Sequence, residues 1–236
     1  MKLPFDKCYC IHLSESNERY NHIKNEFKRI GIEDQVKIWW TCKRNISQQI
    51  GDYLTSLHTE WYDELKKKNP RMYGIIFENA YDHYSIIKTA YDRGLESILI
   101  MEDDIKFIKD TNKIEYIFSN IPSDYTIIKF HSSMNFYNDD FNNFHYILND
   151  SNYKYSSMCY AMTRQGMKLY LDCCEAIFSV SDIVLSAICT LEELYNQYNF
   201  YNISYPICES INMLYTNNSF IGNGELKYGN TLKNLF

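Results

Sequence analysis

Ser97-Ile98-Leu99-Ile100-Met101-Glu102-Asp103-Asp104 is the stretch that decides how this chain folds. Its apolar run has the length of a strand and no polar alternation. That is the pattern of a central strand buried on both faces of a sheet. It stops abruptly at three adjacent carboxylates. In an open parallel sheet, ligands bind beyond the carboxyl ends of the strands. Like charges crowded there repel one another unless a cation or hydrogen-bond donors offset the cost. A hard divalent ion such as Mg²⁺ or Mn²⁺ suits such oxygen ligands and bridges to phosphate oxygens of a substrate. Alone, the triplet reads equally well as a turn facing water, and it also fits a metal-dependent phosphatase or nuclease. Its surroundings have to decide.

Upstream, Glu78 to Arg93 has helical spacing, with Tyr81, Tyr84, Ile87, Ala90 and Tyr91 near one side and Gly94 placed as a C-cap. Residues 45–68 look helical and amphipathic, closed by Pro70. The opening, Lys7 to Leu13, is a short buried strand. Ser14 or Ser16 can cap a following helix that carries Ile23, Phe27 and Ile30 on one face and ends at Gly31. Val36 to Thr41 is a second strand, so the chain begins β-α-β, the signature of a parallel sheet. Downstream, strands are expected at Tyr125 to Phe130 and Ser156 to Thr163, with helices at Gln165 to Phe178 and Asp182 to Tyr195. Residues 134–152 read as a polar loop, and the chain after Pro206 as an irregular tail over the domain. The alternation gives an α/β fold with a mostly parallel central sheet flanked by helices.

Composition narrows the function classes. The chain has 236 residues, 45% hydrophobic and 23% charged, which suits one large domain with a sizeable core. Net charge is −6, and the longest basic run is Lys66-Lys67-Lys68, so the basic stripe of a duplex-binding protein is missing. No window approaches the roughly 18 apolar residues of a membrane span. The first apolar stretch, Cys8 to Leu13, is too short for a signal sequence, and a mature chain starting at Met1 and staying in solution is expected. The eight cysteines lack zinc spacing and sit mostly in apolar runs, so they read as reduced core thiols of a cytoplasmic protein. The N-x-[ST] matches at Asn45, Asn149, Asn202 and Asn217 read as chance in an Asn-rich chain.

Four places, in order, resemble glycosyltransferase family 25, the lipopolysaccharide-type and procollagen galactosyltransferase-like group of GT-A fold. Ile11 through Arg19 resembles the family's I-N-L-D-R-x-x-x-R turn, with His12, Ser14 and Glu15 replacing the usual Asn, Asp and Arg. Gly74 through His83 and on to Glu102-Asp103-Asp104 resembles its G-x-x-x-C-x-x-S-H helix followed by L-E-D-D, with Asp82 in place of Ser and the Cys absent. Ser157 through Gly166 resembles its small-residue strand, and Val180-Ser-Asp182 its P-V-D segment. The order and spacing hold over roughly residues 7–190.

The resemblance implies a single GT-A (Rossmann-like) domain over residues 1–236, with a nucleotide-sugar half of about 1–110 and an acceptor half of about 111–236. It implies a hexose, galactose or glucose, moved from a UDP-sugar to a hydroxyl acceptor with inversion. Asp104 and Glu102 would hold Mn²⁺ or Mg²⁺ with the diphosphate. Asp103, Arg19, His12 and Leu13 would lie on the nucleotide-sugar side, although Arg19 reads equally as the ion-pair partner of a neighbouring acid. Asp182 is the implied base, although its place near a helix start also suits an N-cap. His83 is implied on the substrate side, although a helical His is as readily structural. Many GT-A enzymes use a late His as a further metal ligand, and this chain has none after His145, so metal binding would rest on the triplet with phosphates and water, or on an acid such as Glu209. His131, Ser132 and Ser133 follow a strand end on the same side. Tyr160 reads as core. One of Trp39 and Trp40 reads as core and the other as free to stack on a base or sugar. The altered opening motif also fits a different class, a carbohydrate- or nucleotide-binding pseudo-glycosyltransferase without turnover. Glycan and protein hydroxyls are both open as acceptors.

Overall fold

The computed structural model describes residues 1–41, 67, 70–131, 141–148, 156–176 and 181–211. The expected β-α-β opening is present as β1 (Lys7–Leu13), α1 (Asn17–Ile30) and β2 (Val36–Thr41). Helix α1 buries Ile23, Phe27 and Ile30 and ends at Gly31, whose φ of 73° is left-handed. There Ile32 N–H reaches back to the Phe27 carbonyl and Ile32 itself is buried, which closes a Schellman cap. Ser16 stands at the N-cap, but its side chain makes no capping bond, contrary to the sequence reading.

The second helix, α2 (Pro70–Asp92), starts eight residues before the expected Glu78. Pro70 is the first residue of this helix as described, and residues 68 and 69 before it lie outside the described residues. The helix expected over 45–68 lies outside the described residues apart from Lys67. After Gly94 come β3 (Ser97–Glu102) and β4 (Ile105–Phe107). Helix α3 (Thr111–Ser119) was not expected from the sequence; Asp110 caps it by accepting from the N–H groups of Asn112 and Lys113. β5 is shorter than expected (Ile127–Lys129), and the presumed loop contains β6 (Tyr146–Leu148). β7 (Cys159–Thr163) leads into α4 (Arg164–Ala176). The last expected helix is broken into α5 (Ser181–Thr190) and α6 (Glu192–Tyr195). β8 (Phe200–Ile203) and β9 (Cys208–Ser210) follow, so the segment after Pro206 is not wholly irregular: β9 pairs with β4.

The architecture is α/β. Seven strands form one sheet in the order β2-β1-β3-β7-β5-β8-β6. In it β1, β2, β3, β5 and β8 run one way, and β7 and β6 run against them. Strand β3 lies inside the sheet, and Ile98, Leu99, Ile100 and Met101 are fully buried, as the uninterrupted apolar run predicts. Alternation splits them. Ile98 and Ile100 pack with α2, α4 and α5 through Ile86, Met167 and Leu185. Leu99 and Met101 pack with α1 and α3 through Phe27 and Ile117. Gly166 lets α4 seat against the sheet: a Cβ there would collide with the Thr126 carbonyl. The seven cysteines described are buried free thiols, as expected of core residues. Among the described residues no helix is long and apolar enough to cross a membrane.

Candidate functional site

Strand direction gathers the polar residues at one end of the sheet. β1 ends at His12 and Leu13, β2 at Trp40 and Thr41, β3 at Glu102, and β5 just before His131. Because β7 runs the other way, its start lies at that same end, and Ser156 and Ser157 join the group. The Glu102 N–H bonds the Met158 carbonyl at 2.9 Å, and the Phe130 N–H bonds that of Cys159 at 2.9 Å, which fixes this alignment.

The three carboxylates do not converge. Glu102 faces the α2 and α5 side, where Ser157 Oγ donates to its Oε1 at 2.9 Å and His83 Nε2 lies 3.4 Å from the same oxygen. His83 is fully buried, and its Nδ1 is 2.8 Å from the Tyr160 hydroxyl. An ionised carboxylate only accepts, so Nε2 carries a hydrogen toward Glu102, while Nδ1 shares the other bond with the Tyr160 hydroxyl. Burial pushes the Glu102 carboxyl up, but bonds and charge from His83, with Ser157 and Asn79, outweigh it and hold it below the usual glutamate range. The 19-residue interval between His83 and Glu102 thus ends in a contact.

Asp103 turns to the opposite face. It is buried between His12, with Nδ1 2.7 Å from Oδ2, and Arg19, with Nη1 3.0 Å from Oδ1. His12 therefore donates from Nδ1, and its buried Nε2 has no hydrogen-bond partner among the described residues. Expected on the nucleotide side, Asp103 and His12 are instead occupied by this internal ion pair, and the side chain of Arg19 is 40% exposed. Tyr20, tilted, and Trp40, edge-on, pack beside His12, with ring centroids 5.3 and 5.0 Å from it. Trp39 packs edge-on against Tyr9 in the core while Trp40 is exposed, the division expected of neighbours on one strand. Leu13 is half-buried at the strand end.

Asp104 sits in the turn before β4, half-buried, with Ser210 Oγ 3.3 Å from Oδ2 and the Ile211 N–H on its backbone carbonyl. Glu209, the alternative acid, pairs with Lys106 at 3.1 Å on the surface. No group of three His, Cys, Asp or Glu side chains suited to a metal occurs among the described residues. Asp104 could contribute a carboxylate to a divalent ion at this end of the sheet.

Asp182 lies in the first turn of α5, not at its N-cap. Burial raises its carboxyl above the usual aspartate range, and the neighbouring Glu102 charge raises it further; Ser157, Lys129 and His83 pull the other way. Its Oδ1 is buried without a hydrogen-bond partner among the described residues. His131 bonds Ser156 Oγ at 2.8 Å, and burial, then the Lys129 charge, lowers it to about 4, so it is neutral at neutral pH. Ser132 and Ser133 lie outside the described residues.

Structure thus joins Glu102, His83 and Asp182, which the sequence singled out, and separates Asp103 and His12 from them. The sequence reading missed Ser157, which touches both carboxylates, and the buried Lys129. A lysine inside an apolar strand was the available signal for the second.

No protein-family model matches the chain, and no curated protein is significantly similar to it. Among solved structures it is similar to a glycosyltransferase involved in the glycosylation of the major capsid of PBCV-1, at 10% identity and a TM-score of 0.34, over 69% of this chain and 62% of that one. It is also similar to the apo-form glycosyltransferase GlyE of Streptococcus pneumoniae TIGR4, at 9% identity and a TM-score of 0.40, over 83% of this chain and 45% of that one. The chain spans less than two thirds of the length of either structure.

Proposed function

We propose that this chain is a glycosyltransferase of GT-A type that moves a hexose, galactose or glucose, from a UDP-sugar to a hydroxyl acceptor with inversion. The observation that carries the reading is the pair Glu102 and Asp182, joined through Ser157 beyond the carboxyl end of β3, with Glu102 held ionised and Asp182 raised. Two carboxyl groups pushed apart in this way divide the work of charge stabilisation and proton transfer. The sequence resemblance to family 25 supports the same assignment.

In this reading the acceptor hydroxyl bonds to the carboxylate of Asp182, whose Oδ1 has no hydrogen-bond partner among the described residues. As the acceptor oxygen attacks the anomeric carbon, its proton passes to Asp182 and the bond from that carbon to the diphosphate oxygen breaks. Glu102, kept charged by His83 and Ser157, stabilises the positive charge that builds on the sugar. The Tyr160–His83–Glu102 chain of hydrogen bonds fixes its orientation. Trp40, exposed beside Tyr20, is placed to stack on the nucleobase, and Arg19 to reach the diphosphate from its place over Asp103. A Mn²⁺ or Mg²⁺ ion arriving with the donor and held at Asp104 would supply neutralisation of the leaving diphosphate. The acceptor is a glycan or protein hydroxyl, the residues 1–236 act as one domain, and a cytoplasmic setting fits the buried free thiols.

The second reading is a carbohydrate- or nucleotide-binding protein without turnover. The ion pair that occupies Asp103 favours it, since that carboxylate is withdrawn from any ligand. Calorimetry with UDP and Mn²⁺, followed by product analysis from a UDP-sugar, separates the readings. Metal-dependent binding with release of UDP and free or transferred sugar supports the transferase. Binding with no product supports the second reading, and release of inorganic phosphate defeats both.

A further inference from the structure

Lys129 is a lysine inside a sheet. It belongs to β5 and is 1% exposed, between apolar residues on either side of it in sequence. Enclosing an ammonium costs several kcal/mol unless an opposite charge compensates. Lysine usually avoids the cost by reaching its head group out to water. Here the fold keeps the charge in.

Alternation shows which way it faces. Ile128 belongs to the core on the α1 and α3 side, while Ile127 belongs to the core on the α2, α4 and α5 side. Lys129 therefore faces with Ile127, toward the side that holds Glu102 and Asp182. Its cross-strand partner is Tyr160, whose hydroxyl bonds His83, which in turn meets Glu102. The charge is felt at Asp182, and that interaction is mutual. The groups that face Asp182 are Glu102 from β3, His83 from α2, Ser157 and Tyr160 at the start of β7, and Lys129 from β5. His131 beside Lys129 is neutral, so it adds no second cation.

Resting on the assignment of Asp182 as the base, we propose that Lys129 is a positioning residue whose enclosed ammonium keeps Asp182 charged and turned toward the acceptor. A buried aspartate facing Glu102 tends to stay protonated, and a protonated carboxyl cannot accept the acceptor's proton. Lys129 supplies the counter-charge from inside the scaffold, where it is in place before any substrate arrives. The same burial, partly offset by Asp182 and Cys189, lowers Lys129 to about 8. Its charge is therefore lost within a few pH units of neutrality.

Carbon-13 NMR of the aspartate carboxyls, with Asp182 assigned by its absence in Asp182→Asn, tests this without relying on turnover. In the unaltered protein the Asp182 signal should show a second inflection near the Lys129 value, because its neighbour discharges there. In Lys129→Met that inflection should vanish and the main titration should move to higher pH; Lys129→Arg should keep the main titration in place but lack the second inflection, because a guanidinium does not discharge in this range. An Asp182 titration with one inflection, or one indifferent to Lys129→Met, overturns the proposal; the first is read on the unaltered protein, with Asp182→Asn needed for the assignment alone. UDP release from a UDP-sugar is the second readout. Lys129→Met should lower kcat roughly ten- to a hundredfold, a part of what a general base contributes, with donor KM unchanged. A rise in donor KM at constant kcat also contradicts the proposal. If no UDP-sugar is turned over while the NMR signature is present, the transferase reading fails and the coupling of Lys129 to Asp182 stands.

Discussion

At the scale of single residues, the site turns on two carboxyl groups with opposite tendencies. Glu102 is held below its ordinary range and Asp182 above it, though both are half-buried and both touch Ser157. A hydroxyl has one hydrogen. With that hydrogen given to Glu102, Asp182 bonds Ser157 as a neutral acid, or turns its charge toward Lys129. This sets the sign of the pH dependence. Turnover should rise as Asp182 loses its proton, at a pH above the ordinary aspartate value of 3.8. It should fall again near about 8, where Lys129 loses its charge. A bell-shaped kcat profile bounded in this way is expected, and a flat profile across pH 5 to 9 would contradict both assignments. Replacing Asp182 by Asn should lower kcat by about 10²- to 10⁴-fold, the usual contribution of a general base, and leave UDP binding in place. Calorimetry beside the rate measurement checks the second half.

At the scale of elements, two adjacent carboxylates have different fates because a strand alternates its faces. Asp103 is structural: it joins the end of β3 to β1 through His12 and to α1 through Arg19. Asp103→Ala should therefore cost about 2–3 kcal/mol of stability, the scale of hydrogen bonds to a charged group with one partner left buried. Asp182→Asn should melt near the unaltered protein, and thermal denaturation of the two variants side by side makes the comparison. Gly166 is a second structural requirement. Gly166→Ala should destabilise by about 1–3 kcal/mol, because the new methyl meets the Thr126 carbonyl where α4 seats on the sheet.

Much of the element pattern was legible in the sequence, and for identifiable reasons. β2 and the Gly31 and Gly94 helix ends follow from local chemistry alone, and both glycines do have positive φ. β3 followed from its apolar run. The antiparallel direction of β7 did not, because a buried strand reads the same in either direction. Strand β9 is three residues long and its pairing with β4 spans about a hundred residues, so nothing local announced it. Glu102, His83 and Asp182 were legible as a set only through the family resemblance. Lys129 and Ser157 needed the register, which no window of sequence contains.

At the scale of the whole molecule, a sheet with five strands pointing one way collects its polar strand ends on one edge. The single reversed strand beside β3 adds the serine that links them. The acidic balance, −6 overall, does not itself attract a diphosphate. Donor affinity should therefore lean on the cation, and chelation of Mn²⁺ should weaken UDP binding by tenfold or more, on the order of 1.4 kcal/mol. Titration of UDP with and without chelator reads this directly. The central claim, that the Glu102–Asp182 pair transfers a sugar, is tested most directly by UDP release from a panel of UDP-hexoses with Mn²⁺, with Asp182→Asn and Asp104→Ala alongside. The account predicts release from UDP-galactose or UDP-glucose that Asp182→Asn lowers by about a hundredfold or more and that Asp104→Ala also lowers. Release at the unaltered rate in Asp182→Asn, or none from any UDP-hexose by a folded protein, would contradict it.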